Sequence, residues 1–349
     1  MATRDFPSSR PPPSTYPASV PQLVDRFGRR VTDLRISVTD RCNLRCTYCM
    51  PAEGLPWVPR DQLLTYEEHA RFAALCVERY GFTGIRITGG EPTVRAELVR
   101  LVELLAPLGV ELALTTNGIR LAELAAPLAA AGLDRVNVSL DSLCADTFRA
   151  LTRRDDLDRV LAGIDAALAA GLAPVKVNCV VIRGVNDGEV VDLAAFARAH
   201  GVELRFIEFM PLDATGEWSM DAVVPAREIL ERIDAVFPLE NALVTGAAHT
   251  EPAESFRYAD GTGSVGVIAS VTDPFCATCD RVRITADGKF RTCLFAPDET
   301  DLRALLRGGA SDEELAASVE AAVAEKWAGH RIGRVDFVRP SRSMSQIGG

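Results

Sequence analysis

Between Leu34 and about Phe237, short runs rich in β-forming residues alternate with longer Ala- and Leu-rich segments of helical period. That alternation restricts the chain to βα units on a parallel sheet. Strands are predicted at 34–38, 84–88, 110–115, 135–140, 175–182 and 202–209, and helices at 66–80, 95–106, 121–131, 157–170, 189–200 and 226–236. Gly81, Gly109, Gly132, Gly171 and Gly201 follow the first five helices, where a left-handed residue is favoured. Six units fall short of the eight that close a barrel, which points to an α/β fold with a partial barrel and a wide mouth. A doubly wound sheet is the alternative.

Beyond Phe237 the rhythm changes to short β-like runs at 255–258, 265–271, 282–285 and 289–292, then helices at about 299–306 and 312–327. The expected division is a Pro/Ser-rich disordered start over 1–22, a barrel over 23–240, a smaller subregion over 241–340 and a flexible tail over 341–349. A net charge of −10 argues against nucleic acid or an acidic membrane surface as partner, so any anionic ligand needs a local basic site. No apolar run reaches membrane-spanning length, and the start has no signal-peptide block.

Nine cysteines, six of them in two tight groups, do not resemble a secreted disulfide framework and suggest a reducing, cytoplasmic setting. Cys76, Cys144 and Cys179 stand singly and read as inert small hydrophobes. The first group, Cys42, Cys46 and Cys49, directly follows the first predicted strand, at the end that is catalytic in barrels. Three close thiolates can hold three irons of a cubane and leave the fourth open. Structural zinc wants four closed ligands, and no fourth lies nearby in sequence. The second group, Cys276, Cys279 and Cys293, again offers three ligands, brought together by a hairpin turn predicted at Asp287-Gly288. A zinc ribbon lacking one ligand is the plainer alternative there.

Parallel strands covered on both faces should read as near-continuous Val, Ile and Leu. Here Arg35, Arg86, Lys176 and Arg205 interrupt four of them. One such residue is usually a buried structural ion pair. Four on one curved sheet could all point into the lumen, where without compensation they would repel one another. A bound polyanion resolves that conflict, and a nucleoside triphosphate is the natural candidate. Arg281 and Arg283, two residues apart beside the second cysteine group, extend the set. Gly89-Gly90-Glu91-Pro92 follows the second strand; its carboxylate and backbone are candidates for the amino end of a cofactor, although a lone Gly-Gly is more often a turn.

The spacing of the first cysteine group, with Tyr48 before its last member, resembles the radical S-adenosylmethionine signature. The chain from about Asp33 onward resembles the GTP 3′,8-cyclase family of molybdenum cofactor biosynthesis. The likeness rests on Leu34-Arg-Ile-Ser-Val-Thr-Asp-Arg-Cys-Asn, Ile85-Arg-Ile-Thr-Gly-Gly-Glu-Pro, Thr115-Thr-Asn-Gly, Asn137-Val-Ser-Leu-Asp, the block from Cys276 to Arg283, and the final Gly-Gly. It implies a partial (β/α)6 TIM-like barrel of the radical SAM type, with a C-terminal α+β subregion covering its mouth.

The resemblance further implies two 4Fe-4S clusters. One, on Cys42, Cys46 and Cys49, chelates S-adenosylmethionine; the other, on Cys276, Cys279 and Cys293, meets the guanine of GTP. It assigns cofactor contacts to Tyr48, Gly90, Ser139 and Met210, and substrate contacts to Arg35, Arg86, Thr115, Lys176, Arg281 and Arg283. Arg205, Arg281, Arg283, Gly348 and Gly349 are placed at the catalytic centre. In the implied reaction a 5′-deoxyadenosyl radical takes the 3′ hydrogen of GTP, and the ribose carbon then attacks C8 of guanine. The implied partners are a flavodoxin- or ferredoxin-type electron donor and a downstream cyclic pyranopterin monophosphate synthase, with the chain a monomer or homodimer. The rival readings are a peptide-modifying radical enzyme with an auxiliary cluster, and a non-catalytic iron–sulfur or zinc protein.

Overall fold

The structure is a computed structural model that describes residues 21–213, 216–240 and 252–348. Six parallel strands, β1 (Asp33–Ser37), β2 (Gly84–Thr88), β3 (Glu111–Thr116), β4 (Arg135–Ser139), β5 (Val175–Val181) and β6 (Glu203–Glu208), lie side by side in chain order. The helices between and after them are α1 (Tyr66–Tyr80), α2 (Leu98–Leu105), α3 (Leu121–Ala130), α4 (Ala145–Thr152), α5 (Leu157–Ala169), α6 (Val190–His200) and α7 (Ala226–Asp234). β7 (Leu239–Glu240), β8 (Glu254–Tyr258), β9 (Ser264–Ile268), β10 (Arg281–Ile284), β11 (Lys289–Arg291) and β12 (Thr300–Asp301) follow, then α8 (Leu302–Arg307), α9 (Asp312–Ala324) and α10 (Met344–Ile347). The result is the partial barrel that the repeat implies. Its C-terminal strands are built into the same sheet: β9 pairs parallel with β6 and β10 pairs parallel with β1.

Alternation along each strand sets what the sheet can hold. Leu34, Ile36, Ile85, Ile87, Val136, Val138, Val177, Leu204 and Phe206 are all but fully buried in the main core. Each such side chain contributes about 1.5–3 kcal/mol by leaving water. The opposite face carries Arg35, Arg86, Thr115, Asn137, Ser139, Lys176 and Arg205. An apolar outer face under helices thus coexists with a polar inner face, because the lumen is not filled by stacked aliphatic side chains as in a closed eight-stranded barrel.

Local departures from the predicted elements have identifiable causes. α4 was not anticipated; it is one short segment ended by Arg153 at φ 56°. α2 begins at Leu98 rather than 95 because Glu97 takes a left-handed φ of 57°. β9 stops at Ile268, short of 271, and the amides of Val271 and Thr272 turn to the Glu208 carboxylate at 2.7 and 2.8 Å. The start over 1–22, expected to be disordered, lies outside the described residues except for Pro21 and Gln22. The segment expected to be a flexible tail does not trail away: α10 carries a Ser343/Gln346 capping box, and Ile347 is fully buried.

Candidate active site

The loop after β1 carries the first cysteine group on a tight turn in which the amides of Cys49 and Met50 both donate to the Cys46 carbonyl, at 2.9 and 3.0 Å. Two arginines hold this turn from outside. Arg45 donates to the carbonyls of Cys42 and Leu44 at 2.7 and 2.8 Å, and Arg153 donates to those of Arg45 and Met50 at 2.8 and 3.2 Å. Burial, with Glu91 adding to it, pushes the Cys42 thiol up to about 12, and burial pushes that of Cys49 to about 11. Loading metal here therefore releases protons, and a cation supplies the positive charge the buried thiolates lack. The Tyr48 hydroxyl donates to Asp141 Oδ2 at 2.5 Å, and Asp141 Oδ1 accepts the Val180 amide at 2.8 Å. The cysteine loop is in this way fixed to the ends of β4 and β5.

The second group is clamped by two buried cations, Arg29 and Lys326, that no sequence motif marks out. Arg29, paired with Asp25 at 2.6 Å, donates to the carbonyls of Cys276 (2.6 Å), Trp327 (2.5 Å) and Ala328 (2.8 Å). Lys326 Nζ lies 3.0 Å from the Cys279 carbonyl, 3.9 Å from its sulfur and 2.8 Å from the Arg281 carbonyl. Although burial opposes it, the nearby charges of Arg281 and Lys326 bring the Cys279 thiol below its ordinary value. Cys293 Sγ accepts the Phe295 amide at 3.4 Å. Among the described residues no three His, Cys, Asp or Glu side chains converge on a single-ion site. Three thiolates without a fourth partner suit a cubane with one open iron.

Both triads line one cavity of about 1570 Å³. That exceeds the roughly 300–1,000 Å³ of a single small-ligand pocket, so there is room for more than one molecule. Strand register arranges its cations in rows. One row across the sheet carries Arg283, Arg35, Arg86, Ala113 and Arg135; the next carries Thr115, Asn137, Lys176 and Glu203. Buried nitrogens of Arg35 (Nε), Arg86 (Nε, Nη1) and Arg281 (Nε, Nη2) have no hydrogen-bond partner. Burial and then neighbouring guanidinium groups lower the pKa of Arg35, Arg86 and Arg283. Since Arg keeps its proton in proteins, these are buried and crowded charges that an anion would relieve.

The cations are not all uncompensated, as the strand pattern had suggested. Glu203 lies 2.6 Å from Arg205 and 3.4 Å from Lys176, Asp33 lies 3.6 Å from Arg35, and Glu111 holds Arg135 at 2.5 Å. Of the expected substrate contacts among the described residues, Lys176 alone does not line the cavity; Arg35, Arg86, Thr115, Arg281 and Arg283 do, as does Arg205. Arg135 was missed, although it stands two residues before Asn137 and so shares its face.

Tyr48, Gly90, Ser139 and Met210 all line the cavity. A side chain at Gly90 would press within 2.6 Å of the Asp40 and Arg41 carbonyls, so only glycine lets this edge approach the cysteine loop. The Glu91 carboxylate, expected to face an amino group, lines the cavity and is braced by its neighbours. It accepts from Thr93 (3.0 Å), Thr116 (2.7 Å) and the Asn117 amide (2.6 Å), tying the end of β2 to that of β3. Gly348 lies against the side chains of Ser37 on β1 and Thr88 on β2, where a Cβ would meet Ser37 at 2.8 Å, and its carbonyl accepts from Arg283 at 2.5 Å. Gly349 lies outside the described residues.

Comparison with known proteins fits this arrangement. The Radical SAM superfamily model matches residues 36–197, and the Molybdenum Cofactor Synthesis C model matches residues 202–332. The chain is 52% identical to a GTP 3′,8-cyclase of Mycolicibacterium smegmatis over 96% of its length and 94% of that protein. It is 53% identical to one of Streptomyces coelicolor over 94% of its length and 96% of that protein. Streptococcus suis SuiB bound to S-adenosylmethionine shares the fold, with a TM-score of 0.57 at 14% identity over 82% of this chain and 67% of that one.

Proposed function

Because the chain belongs to the GTP 3′,8-cyclase family within the radical SAM superfamily, we propose that it converts GTP to (8S)-3′,8-cyclo-7,8-dihydroguanosine 5′-triphosphate, as a lyase of molybdenum cofactor biosynthesis. The observation that carries this reading is that two three-cysteine groups and a set of crowded arginines line one cavity. Cys42, Cys46 and Cys49 would hold the 4Fe-4S cluster that, when reduced, supplies the 5′-deoxyadenosyl radical from S-adenosylmethionine. Cys276, Cys279 and Cys293 would hold a second.

The chain's own residues supply position more than acid–base chemistry. Tyr48, held by Asp141, together with Gly90, Ser139 and Met210, forms the wall nearest the first triad and is assigned to S-adenosylmethionine. Arg35, Arg86, Arg281 and Arg283, with Thr115 in the neighbouring row, are assigned to GTP; the unpartnered guanidinium nitrogens are suited to phosphate oxygens. Lys176 acts with them through Glu203, at 3.4 Å, and Arg205 flanks the same carboxylate. A nucleotide gripped at its triphosphate and at its base presents a single ribose edge to the radical. Met344, Ser345 and Gly348 close the wall beside Cys49 and Arg283, keeping other hydrogen donors away.

The reading includes a flavodoxin- or ferredoxin-type electron donor, a cyclic pyranopterin monophosphate synthase as consumer of the product, and a cytoplasmic setting. No helix of the described residues is long and apolar enough to cross a membrane. The test is an anaerobic assay on reconstituted protein. It is expected to hold about eight irons per chain and to form 5′-deoxyadenosine faster with GTP than with ATP, yielding the 3′,8-cyclised nucleotide. Formation of 5′-deoxyadenosine that is indifferent to GTP, with no new nucleotide, would overturn it. Arg281→Ala is expected to raise the KM for GTP while leaving iron content unchanged; loss of iron would make Arg281 structural instead.

A further inference from the structure

Residues 342–348 keep their place in the cavity without a core of their own. α10 is a single turn, and Ile347 is its one fully buried apolar side chain. A helix of that length has no independent stability in water, so its position has to be imposed from its ends. At one end the Gly348 carbonyl meets Arg283. At the other, Arg342 places Nη1 3.0 Å from Asp287 Oδ1 and Nη2 2.8 Å from Asp287 Oδ2, while its Nε lies 2.8 Å from Glu299.

The two carboxylates are themselves fixed. Asp287, in the turn between β10 and β11, also accepts the Thr285 hydroxyl at 2.6 Å. Glu299 also pairs with the fully buried Arg291 of β11. The hairpin that carries Arg283 is therefore the one that receives Arg342. Both ends of the segment are tied to one rigid piece, with Met344 and Ser345 held between them on the cavity wall. A forked guanidinium on a carboxylate fixes direction as well as distance, which a lysine ammonium does not.

We propose that Arg342 is a positioning residue that latches the C-terminal segment into the cavity, setting Ser345 against the first cysteine group and Gly348 against Arg283. The latch itself is independent of the substrate; only its consequence for turnover rests on the cyclase reading. Losing the latch opens the wall beside the radical source, so 5′-deoxyadenosine is formed without cyclised product.

The experiment compares Arg342→Gln with the unaltered reconstituted enzyme by hydrogen exchange, iron content and the ratio of 5′-deoxyadenosine to nucleotide product. Exchange at the amides of Gln346, Ile347 and Gly348 is expected to accelerate about tenfold or more, the loss of a charge-assisted pair. Iron content should hold, and the ratio should rise severalfold. Arg342→Lys should fall between the two, and the double variant Asp287→Asn with Glu299→Gln should reproduce Arg342→Gln from the other side. Unchanged exchange in Arg342→Gln would overturn the latch, as would loss of iron, which would mark Arg342 as a general structural residue. If exchange accelerates but the unaltered enzyme makes no product from GTP, the latch stands and the cyclase reading falls.

Discussion

His69 on α1 is fully buried, both ring nitrogens lack a hydrogen-bond partner, and burial brings its pKa down to about 3. The folded state thus resists a proton that the unfolded chain takes up near pH 6.5. Its contribution to stability is intact above that pH and is lost as pH falls toward 3, at up to about 1.4 kcal/mol per pH unit. His69→Phe is expected to remove this slope from urea midpoints measured between pH 7.5 and 5; the same slope in the variant would contradict the assignment. Asp141, raised to about 6 by burial, acts in the opposite sense and cancels in the comparison. His69 shows what single residues hide, since nothing in its sequence neighbourhood marks it as unpartnered. The lumen cations were legible because Arg and Lys violate an apolar strand. Their counter-ions were equally available: Asp33 and Glu203 stand two residues before Arg35 and Arg205, on the same strand face.

At the level of elements, the loop that carries Cys276 and Cys279 is a short 3-10 turn with no buried residue of its own. It depends on Arg29, which lies far away in sequence and spends its guanidinium on that loop and on the end of α9. Arg29→Ala removes the guanidinium from Asp25 Oδ2 and from the carbonyls of Cys276, Trp327 and Ala328, a loss of about 3–5 kcal/mol for a broken buried pair. The expected outcome is a lower melting temperature and loss of about half the bound iron, all from the second triad; equal loss from both triads would contradict it. Strands and long helices of the repeat were readable from periodicity, and α1 begins at Tyr66 as expected, on a capping box of Thr65 and Glu68. Short pieces were not. α4 has a single turn's worth of apolar residues, and the end of β9 is decided by Glu208, a partner sixty residues distant in the chain.

For the molecule as a whole, what matters is that the C-terminal part joins the barrel's sheet at both edges. β10 beside β1 places Arg283 in line with Arg35 and Arg86, with Arg281 opposite Asp33 on the same face, and β9 beside β6 closes on Arg205. Strands of four or five residues carry no record of their partners, so the sequence indicated a second subregion but not that it extends the same sheet. Each cysteine group was visible in the sequence on its own, and their meeting in one cavity, which the family resemblance implied, is brought about by this topology. That meeting is the central claim, and one nucleotide should feel both sides of it. In a variant with Cys42, Cys46 and Cys49 all changed to Ser, the remaining iron centre can be reduced and followed by electron paramagnetic resonance as nucleotide is added. GTP is expected to alter that spectrum and ATP to leave it unchanged. A spectrum indifferent to GTP, in protein that still binds the nucleotide, would contradict the account.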